Sequence, residues 1–313
     1  MRTCTIIYNK VEADSSVDTL DVLDQVAFVE KNLTELGFKV NRLMLTANFM
    51  AELKHIAIEK DDIIFNLVEA VGAYDELLHF IPATLDAYGA RYTGCSTNGA
   101  FLTGNKRLAK DFMAMGGISV PRSYDFEHQS YLQKNKKYII KPTSEDGSVG
   151  ITEDSVFLYD GTFRHKPEGQ WFIEDYIDGR EFNISVLSGE VIPPAEIVFN
   201  DYSADMPRIV SYKAKWDEDS FQYKNTVRNL TPVVSDVLMS DMMSVAEKCW
   251  KIFDLHGYAR VDLRVDSQEN VYVMEVNANP CIAEDGGFVA ACRNAGFSDS
   301  EIVRRIVEDL NNK

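Results

Sequence analysis

The 313-residue chain is 45% apolar and 26% charged, ordinary proportions for a globular protein; its length exceeds what a single growing core serves, so two or three subdomains are expected. With 32 Lys and Arg against 49 Asp and Glu, the net charge of −17 argues against a nucleic-acid partner, because phosphate backbones demand basic surface. No apolar run approaches the ~20 residues that cross a bilayer, and five scattered cysteines with no C-x-x-C pair speak against a disulfide framework and for a reducing, cytoplasmic setting.

The N-terminal Met1–Tyr8 is too short an apolar stretch for a signal peptide and reads as a first strand. Strands are expected at Thr3–Tyr8, Lys39–Leu45 and Asp62–Leu67, alternating with helices at Thr19–Leu36, Ala47–Ile58 and Asp75–Tyr88. That alternation predicts a parallel sheet with covering helices, and Gly37 stands where a helix-ending glycine belongs. A helix from Asn105 to Met115 follows, stopped by Gly116-Gly117 and Pro121. Lys137–Lys141, Gln170–Asp175 and Glu181–Leu187 read as strands of a small α+β unit. The strand Val191–Phe199, a polar aromatic segment Tyr212–Tyr223, a long helix Ser235–Leu255, a hairpin and a terminal helix Asp299–Asn311 complete the chain. The predicted division is residues 1–98, 99–182 and 183–313.

The hairpin carries the strongest chemical signal. Ala259–Asp266 alternates apolar and polar residues, and Val271–Asn277 follows after Ser267-Gln268-Glu269-Asn270. Pairing Asp266 with Val271 sets Asp262 opposite Glu275 and Arg260 opposite Asn277, all on one face. Facing carboxylates destabilise a sheet unless a cation joins them, and Asp, Glu and Asn are the hard oxygen ligands Mg2+ takes beside phosphate and water. A solvated polar face is the alternative. Pro280 ends the second strand just past Asn277.

Three further segments suit a nucleotide. Lys141 closes a strand before Pro142 and the loop Thr143–Gly150, whose glycines and small polar residues let backbone N–H groups converge on an anion. This is neither a P-loop nor a dinucleotide fingerprint, and a plain surface loop fits the segment equally well. Glu174 and Glu181 flank the turn at Gly179, where they can accept hydrogen bonds from an adenine amino group and a ribose hydroxyl or simply face solvent. Lys106 lies on the helix after Gly104. The histidines lack metal-ligand spacing, no Ser-His-Asp order appears, and of the cysteines only Cys281, just past the hairpin, is placed to matter.

Taken in order, Ile64-Phe65-Asn66-Leu67, Ile140-Lys141-Pro142 with its loop, Glu174 to Phe182, Ala259-Arg260-Val261-Asp262 and Glu275-Val276-Asn277 resemble the ATP-grasp superfamily, most closely its D-alanine–D-alanine ligase family. The resemblance runs from about Asp62 to Phe288. It implies an α/β ATP-grasp fold, an N-terminal parallel-sheet domain followed by two α+β subdomains that sandwich the nucleotide. It implies ATP and Mg2+ as cofactors, with two ions and Mn2+ as a substitute. Lys106 and Lys141 would hold phosphates, Glu174 and Glu181 adenine and ribose, and the loop with Ser148 would close over the triphosphate. Asp262, Glu275 and Asn277 would hold the metal, Arg260 would stabilise the acyl-phosphate and the oxyanion, and Lys215 would reach the γ-phosphate. The implied reaction joins a carboxylate to an amine on small amino-acid or peptide substrates, and the implied assembly is a homodimer. A nucleotide-binding relative without ligase activity and a true D-alanine–D-alanine ligase with a divergent pocket are the alternatives.

The chain departs from that family in its amino-acid pocket. Gly147 stands for a loop serine, Trp216 for a tyrosine, Tyr8-Asn9-Lys10-Val11-Glu12 for a Gly-Gly-x-Ser-x-Glu segment, and Glu284-Asp285-Gly286-Gly287-Phe288 for a Ser-Leu or Ser-Tyr pair. Different substrates are therefore expected. Glu284 and Asp285 can receive a cationic amine or form an acidic solvated loop.

Overall fold

Strand β1 (Thr3–Asn9) is apolar through its middle and buried on both faces, as a central parallel strand must be. The computed structural model describes residues 2–12, 14–57, 63–72 and 74–312. After β1 come α1 (Val17–Leu20), α2 (Val22–Glu35), β2 (Lys39–Leu45), α3 (Phe49–Ile56), β3 (Ile63–Leu67), α4 (Phe80–Tyr88) and β4 (Arg91–Tyr92). The four strands form a parallel sheet in the order β2-β1-β3-β4. The long helix expected at Thr19–Leu36 divides at Asp21, and the one expected at Asp75–Tyr88 begins as a 3-10 turn at Asp75–Leu77. Gly37 adopts φ +82° past α2. Ile58 and Asp62, expected bounds of a helix and a strand, lie outside the described residues.

Helices α5 (Thr97–Thr103) and α6 (Lys106–Met115) lead into the second sheet. Asn105 caps α6 by accepting from the Leu108 N–H at 3.0 Å. The second sheet has the order β5-β8-β6-β7, with β5 (Ser123–Tyr124), β6 (Lys137–Pro142), β7 (Val156–Leu158) and β8 (Trp171–Asp175) all antiparallel.

The third sheet begins at β9 (Gly179–Leu187) and adds β10 (Glu190–Val191), β11 (Ala195–Phe199), β12 (Thr226–Asn229), β13 (Tyr258–Asp266) and β14 (Val271–Asn277). Its path is β12-β11-β9-β13-β14, with β10 beside β9. Glu181–Leu187, expected among the strands of the middle unit, thus belongs here, paired with β13 over its length. The expected 182/183 division cuts through β9; the change of sheet falls between Asp175 and Gly179. Pro193-Pro194 splits the strand expected at Val191–Phe199, because proline donates no ladder hydrogen bond. Short helices α7 (Tyr212–Trp216) and α8 (Phe221–Asn225), the long α9 (Asp236–Ile252), α10 (Gly287–Asn294) and α11 (Asp299–Glu308) complete the fold. Ser211, Ser220, Ser235 and Ser298 cap α7, α8, α9 and α11 through their hydroxyls.

One apolar core joins β1 and β3 to α2, α10 and α11, with Leu187 and Tyr258 of the third sheet reaching into it. A second packs α9 and Met113 of α6 against the inner face of β9, β13 and β14. The first sheet and the third are therefore parts of one packed body, while the second sheet has a core of its own around Tyr138.

Candidate active site

The last hairpin pairs Arg260 with Asn277 and Asp262 with Glu275, as the sequence predicts. Val271, expected opposite Asp266, instead faces Val265, because a bulge between Asp262 and Leu263 in the register takes up Met274. An extra residue in one strand reverses its alternation. Val273 and Val276, three apart, thereby both enter the core, while Glu275 and Asn277 stand beside Asp262.

Three polar side chains converge on Asp262. Arg260 donates to both oxygens, at 2.7 and 2.8 Å, Asn183 to one at 2.7 Å and Asn277 to the other at 3.1 Å. Asn277 also donates to Glu275 at 3.3 Å, and the Lys106 ammonium lies 3.6 Å from the other Glu275 oxygen. Burial by itself raises the Glu275 carboxyl, but Lys106, Lys141 and Arg260 outweigh it and hold it at about 2. Burial opposes the Lys106 charge, yet Asp146 and Glu275 push its pKa above the ordinary value. Both groups are charged at neutral pH.

Lys106 leads α6, with its ammonium 2.7 Å from the Glu145 carbonyl and 3.1 Å from Asp146, so the Gly-rich loop closes on the start of that helix. Ser148, at φ +62°, donates to the Val210 carbonyl at 2.7 Å and ties the loop to the segment before α7. Lys215 sits in α7 with its ammonium 4.8 Å from the Trp216 ring centre.

Glu174 is fully buried on β8 between two lysines, Lys141 at 3.0 Å and Lys110 at 2.9 Å. Burial would raise its pKa, but the two ammoniums hold the carboxyl below its ordinary value. Its second oxygen lies 2.9 Å from the Lys110 ammonium and is closed off from solvent, so the expected contact with an adenine amino group is not open to this side chain as it stands. Glu181 takes a two-pronged contact from Arg264 at 2.7 and 3.2 Å. Arg264 is itself buried, donates to the Ile177 and Arg208 carbonyls and lies over the Tyr176 ring.

Sequence reasoning missed Lys110, Asn183, Arg264 and Glu69. Lys110 lies four residues beyond Lys106 on one helix face, and Asn183 two residues beyond Glu181 on one strand face, so periodicity carried a signal for both. Lys110 also donates to the carbonyl of the bulged Met274, a contact no linear pattern reveals. Glu69 follows β3, accepts from Gln25 at 2.9 Å, and has its carboxyl raised to about 7 by burial, with the Asp21 charge adding to the rise and Gln25 and Lys215 opposing it. Burial, with Asp21 nearby, pushes the Cys281 thiol far above its ordinary value. Glu284 is engaged by Arg293, at 3.5 Å to its carboxylate and 2.8 Å to its carbonyl, and the Asp285 carbonyl accepts from Arg228 at 3.3 Å.

The residues present fit a magnesium-bound nucleotide. Among the described residues no group of three or more His, Cys, Asp and Glu side chains is arranged to hold a metal alone. Two carboxylates and an amide are instead the partial set Mg2+ takes when phosphate oxygens and water complete its shell. Lys106 and Lys141 adjoin them as cations for phosphate oxygens.

The architecture is that of the ATP-grasp ligases. A Bacillus anthracis D-alanine–D-alanine ligase solved with ATP superposes with a TM-score of 0.76 over 100% of this chain and 98% of its own, at 19% identity. The VanG D-Ala:D-Ser ligase of Enterococcus faecalis gives 0.73 over 99% and 100%, at 16% identity. A family model described as D-ala D-ala ligase C-terminus matches residues 125–308, and the chain belongs to this D-alanine–D-alanine ligase family of ATP-dependent carbon–nitrogen ligases. Among relatives in sequence, the D-alanine–D-alanine ligase of Pseudoalteromonas translucida is 28% identical over 82% of this chain and 81% of its own length. The uncharacterized protein y4sG of Sinorhizobium fredii is 25% identical over 78% and 73%.

Proposed function

We propose that this chain condenses a small carboxylate with an amine through an acyl-phosphate, consuming ATP and releasing ADP and phosphate, on substrates other than two D-alanines. The observation that carries the reading is the constellation of Arg260, Asp262, Glu275 and Asn277 on one face, with Lys106 beside it.

Lys106 and Lys141 supply point charges to phosphate oxygens, and Lys215 approaches from α7. Asp262, Glu275 and Asn277 would hold two magnesium ions, which would supply positive charge to the phosphate oxygens. A substrate carboxylate oxygen displaces ADP from the terminal phosphorus. Arg260 then faces the oxyanion that forms when the amine attacks the acyl carbon. The amine loses its proton, the carbon–oxygen bond breaks and phosphate departs. Glu181 accepts from the ribose, and Glu174, closed in by Lys141 and Lys110, orients Lys141. The Gly-rich loop and α7 shield the acyl-phosphate from water.

Support for different substrates comes from the acceptor end. Trp216, Gly147 and the segment Glu284–Phe288 change the lining there. Arg228, whose pKa is lowered by burial and by Arg260, joins Arg260 as a second guanidinium suited to a substrate carboxylate. The test is a screen of amino acids and dipeptides for ATP-dependent phosphate release, with mass spectrometry of the product. We expect turnover with some amino-acid pair, abolished by Asp262→Asn or Glu275→Gln and lowered on the order of 100-fold by Arg260→Met. A ligase-like rate with D-alanine alone sinks the substrate argument, and binding of nucleotide without any product sinks the ligase.

A further inference from the structure

Trp216 ends α7, and its indole N–H donates to the Gly147 carbonyl at 2.8 Å. The same ring carries the Lys215 ammonium at 4.8 Å from its centre. Gly147 adopts φ +65°, and a Cβ built there would lie 3.8 Å from the indole and 3.9 Å from the Lys215 ammonium. A Cβ there would make only ordinary van der Waals contact, so the left-handed backbone, rather than space, favours glycine at this position. Neighbouring bonds run between the same two segments: Ser148 to the Val210 carbonyl at 2.7 Å, the Tyr212 N–H to the Ile151 carbonyl at 2.9 Å, and Ser211 to Glu153 at 2.9 Å. Those bonds hold the two segments together without touching Lys215, whereas the indole links the loop to the lysine itself.

We propose that Trp216 is a positioning residue that couples the reach of Lys215 to closure of the Gly-rich loop; this rests on the ligase reading, in which Lys215 meets the terminal phosphate. A lysine head on a four-carbon stem is free to sample many rotamers. The indole face restricts it by a cation–π contact. The N–H, a donor with a single hydrogen, anchors the ring to a loop carbonyl. The clasp uses backbone on the loop side, so it needs no hydroxyl where Gly147 stands. When the loop is away, the ring loses its anchor and the ammonium loses its platform.

The test measures by calorimetry, with Mg2+, the affinity ratio of the non-hydrolysable analogue AMPPNP to ADP, which isolates contact with the terminal phosphate. Trp216→Phe keeps the ring and removes the donor, and should lower the ratio about fivefold, the worth of one neutral hydrogen bond. Trp216→Leu should lower it as far as Lys215→Met does, and the double variant Lys215→Met/Trp216→Leu should be no worse than Lys215→Met alone. ADP affinity stays unchanged throughout, which a merely structural tryptophan would not ensure. Independent, multiplying losses from the two substitutions, or an unaltered ratio in Trp216→Phe, overturn the proposal. Failure of the native protein to bind either nucleotide overturns the ligase reading, and this proposal with it.

Discussion

Lys110 shows how a single side chain organises the site without facing solvent. Its ammonium is buried between Glu174 and the Met274 carbonyl, so one cation joins α6, the second sheet and the bulged strand of the third. Removing one partner of a buried ion pair leaves the other uncompensated, which costs more than the pair contributes when intact. Lys110→Met is expected to destabilise the protein by about 3 kcal/mol, read from urea unfolding at pH 7. Glu69 makes a different prediction. Burial, chiefly, raises its carboxyl from 4.5 to about 7, with Asp21 and Asp146 adding to the rise and Gln25 and Lys215 opposing it. The folded state then binds a proton that the unfolded chain has released. Its contribution to stability is complete below pH 4.5 and is lost as the pH climbs through 7. Asp75, raised to about 6 by burial, acts with the same sign. Unfolding measured from pH 5 to 8 should show a smaller decline in Glu69→Gln than in the native protein.

At the scale of elements, the bulge in β14 and the turn entering β9 set the site. A strand without the bulge could not bury both Val273 and Val276 while presenting Glu275 and Asn277 to Asp262. Two adjacent apolar residues, Val273 and Met274, were the mark of it in the sequence, a break in alternation that a simple register count from the loop passes over. The count still reached the correct Asp262–Glu275 pair, because its loop was one residue too short and the bulge restored that residue. At Gly179 a Cβ would fall 2.0 Å from the Val265 carbonyl oxygen, a backbone atom with nowhere to go. Gly179→Ala should therefore cost about 3 kcal/mol by forced separation of β9 and β13, measured by chemical denaturation, and should weaken nucleotide binding by displacing Glu181.

For the whole molecule, cations gather beside Glu174, Asp262 and Glu275 in a chain of net charge −17. Lys106 and Lys110 come from α6, Lys141 from β6, Lys215 from α7, and Arg260 and Arg264 from β13, and local cations rather than overall charge make the site receptive to phosphate. A ligand that binds only the folded form stabilises it by about 2.7 kcal/mol at a hundred times its dissociation constant. ATP with Mg2+ should raise the melting temperature in calorimetric scans, and ATP with EDTA should raise it far less, because the facing acids then meet phosphate without a cation between them.

Short-range pattern determined much by itself. Period-two alternation put Arg260 and Asp262 on one face, glycine and proline marked the loop and the strand ends, and the order of lysines, acids and hairpin specified the family. Those features depend only on neighbours along the chain. Tertiary structure alone decided that Glu174 lies sealed between Lys141 and Lys110, that β9 leaves the middle sheet for the third, that Glu284 turns to Arg293, and that the indole of Trp216 rests on the Gly147 backbone. Each of these is a meeting of residues distant in sequence, fixed by which surfaces must be buried together, and burial between remote segments leaves no local period to read.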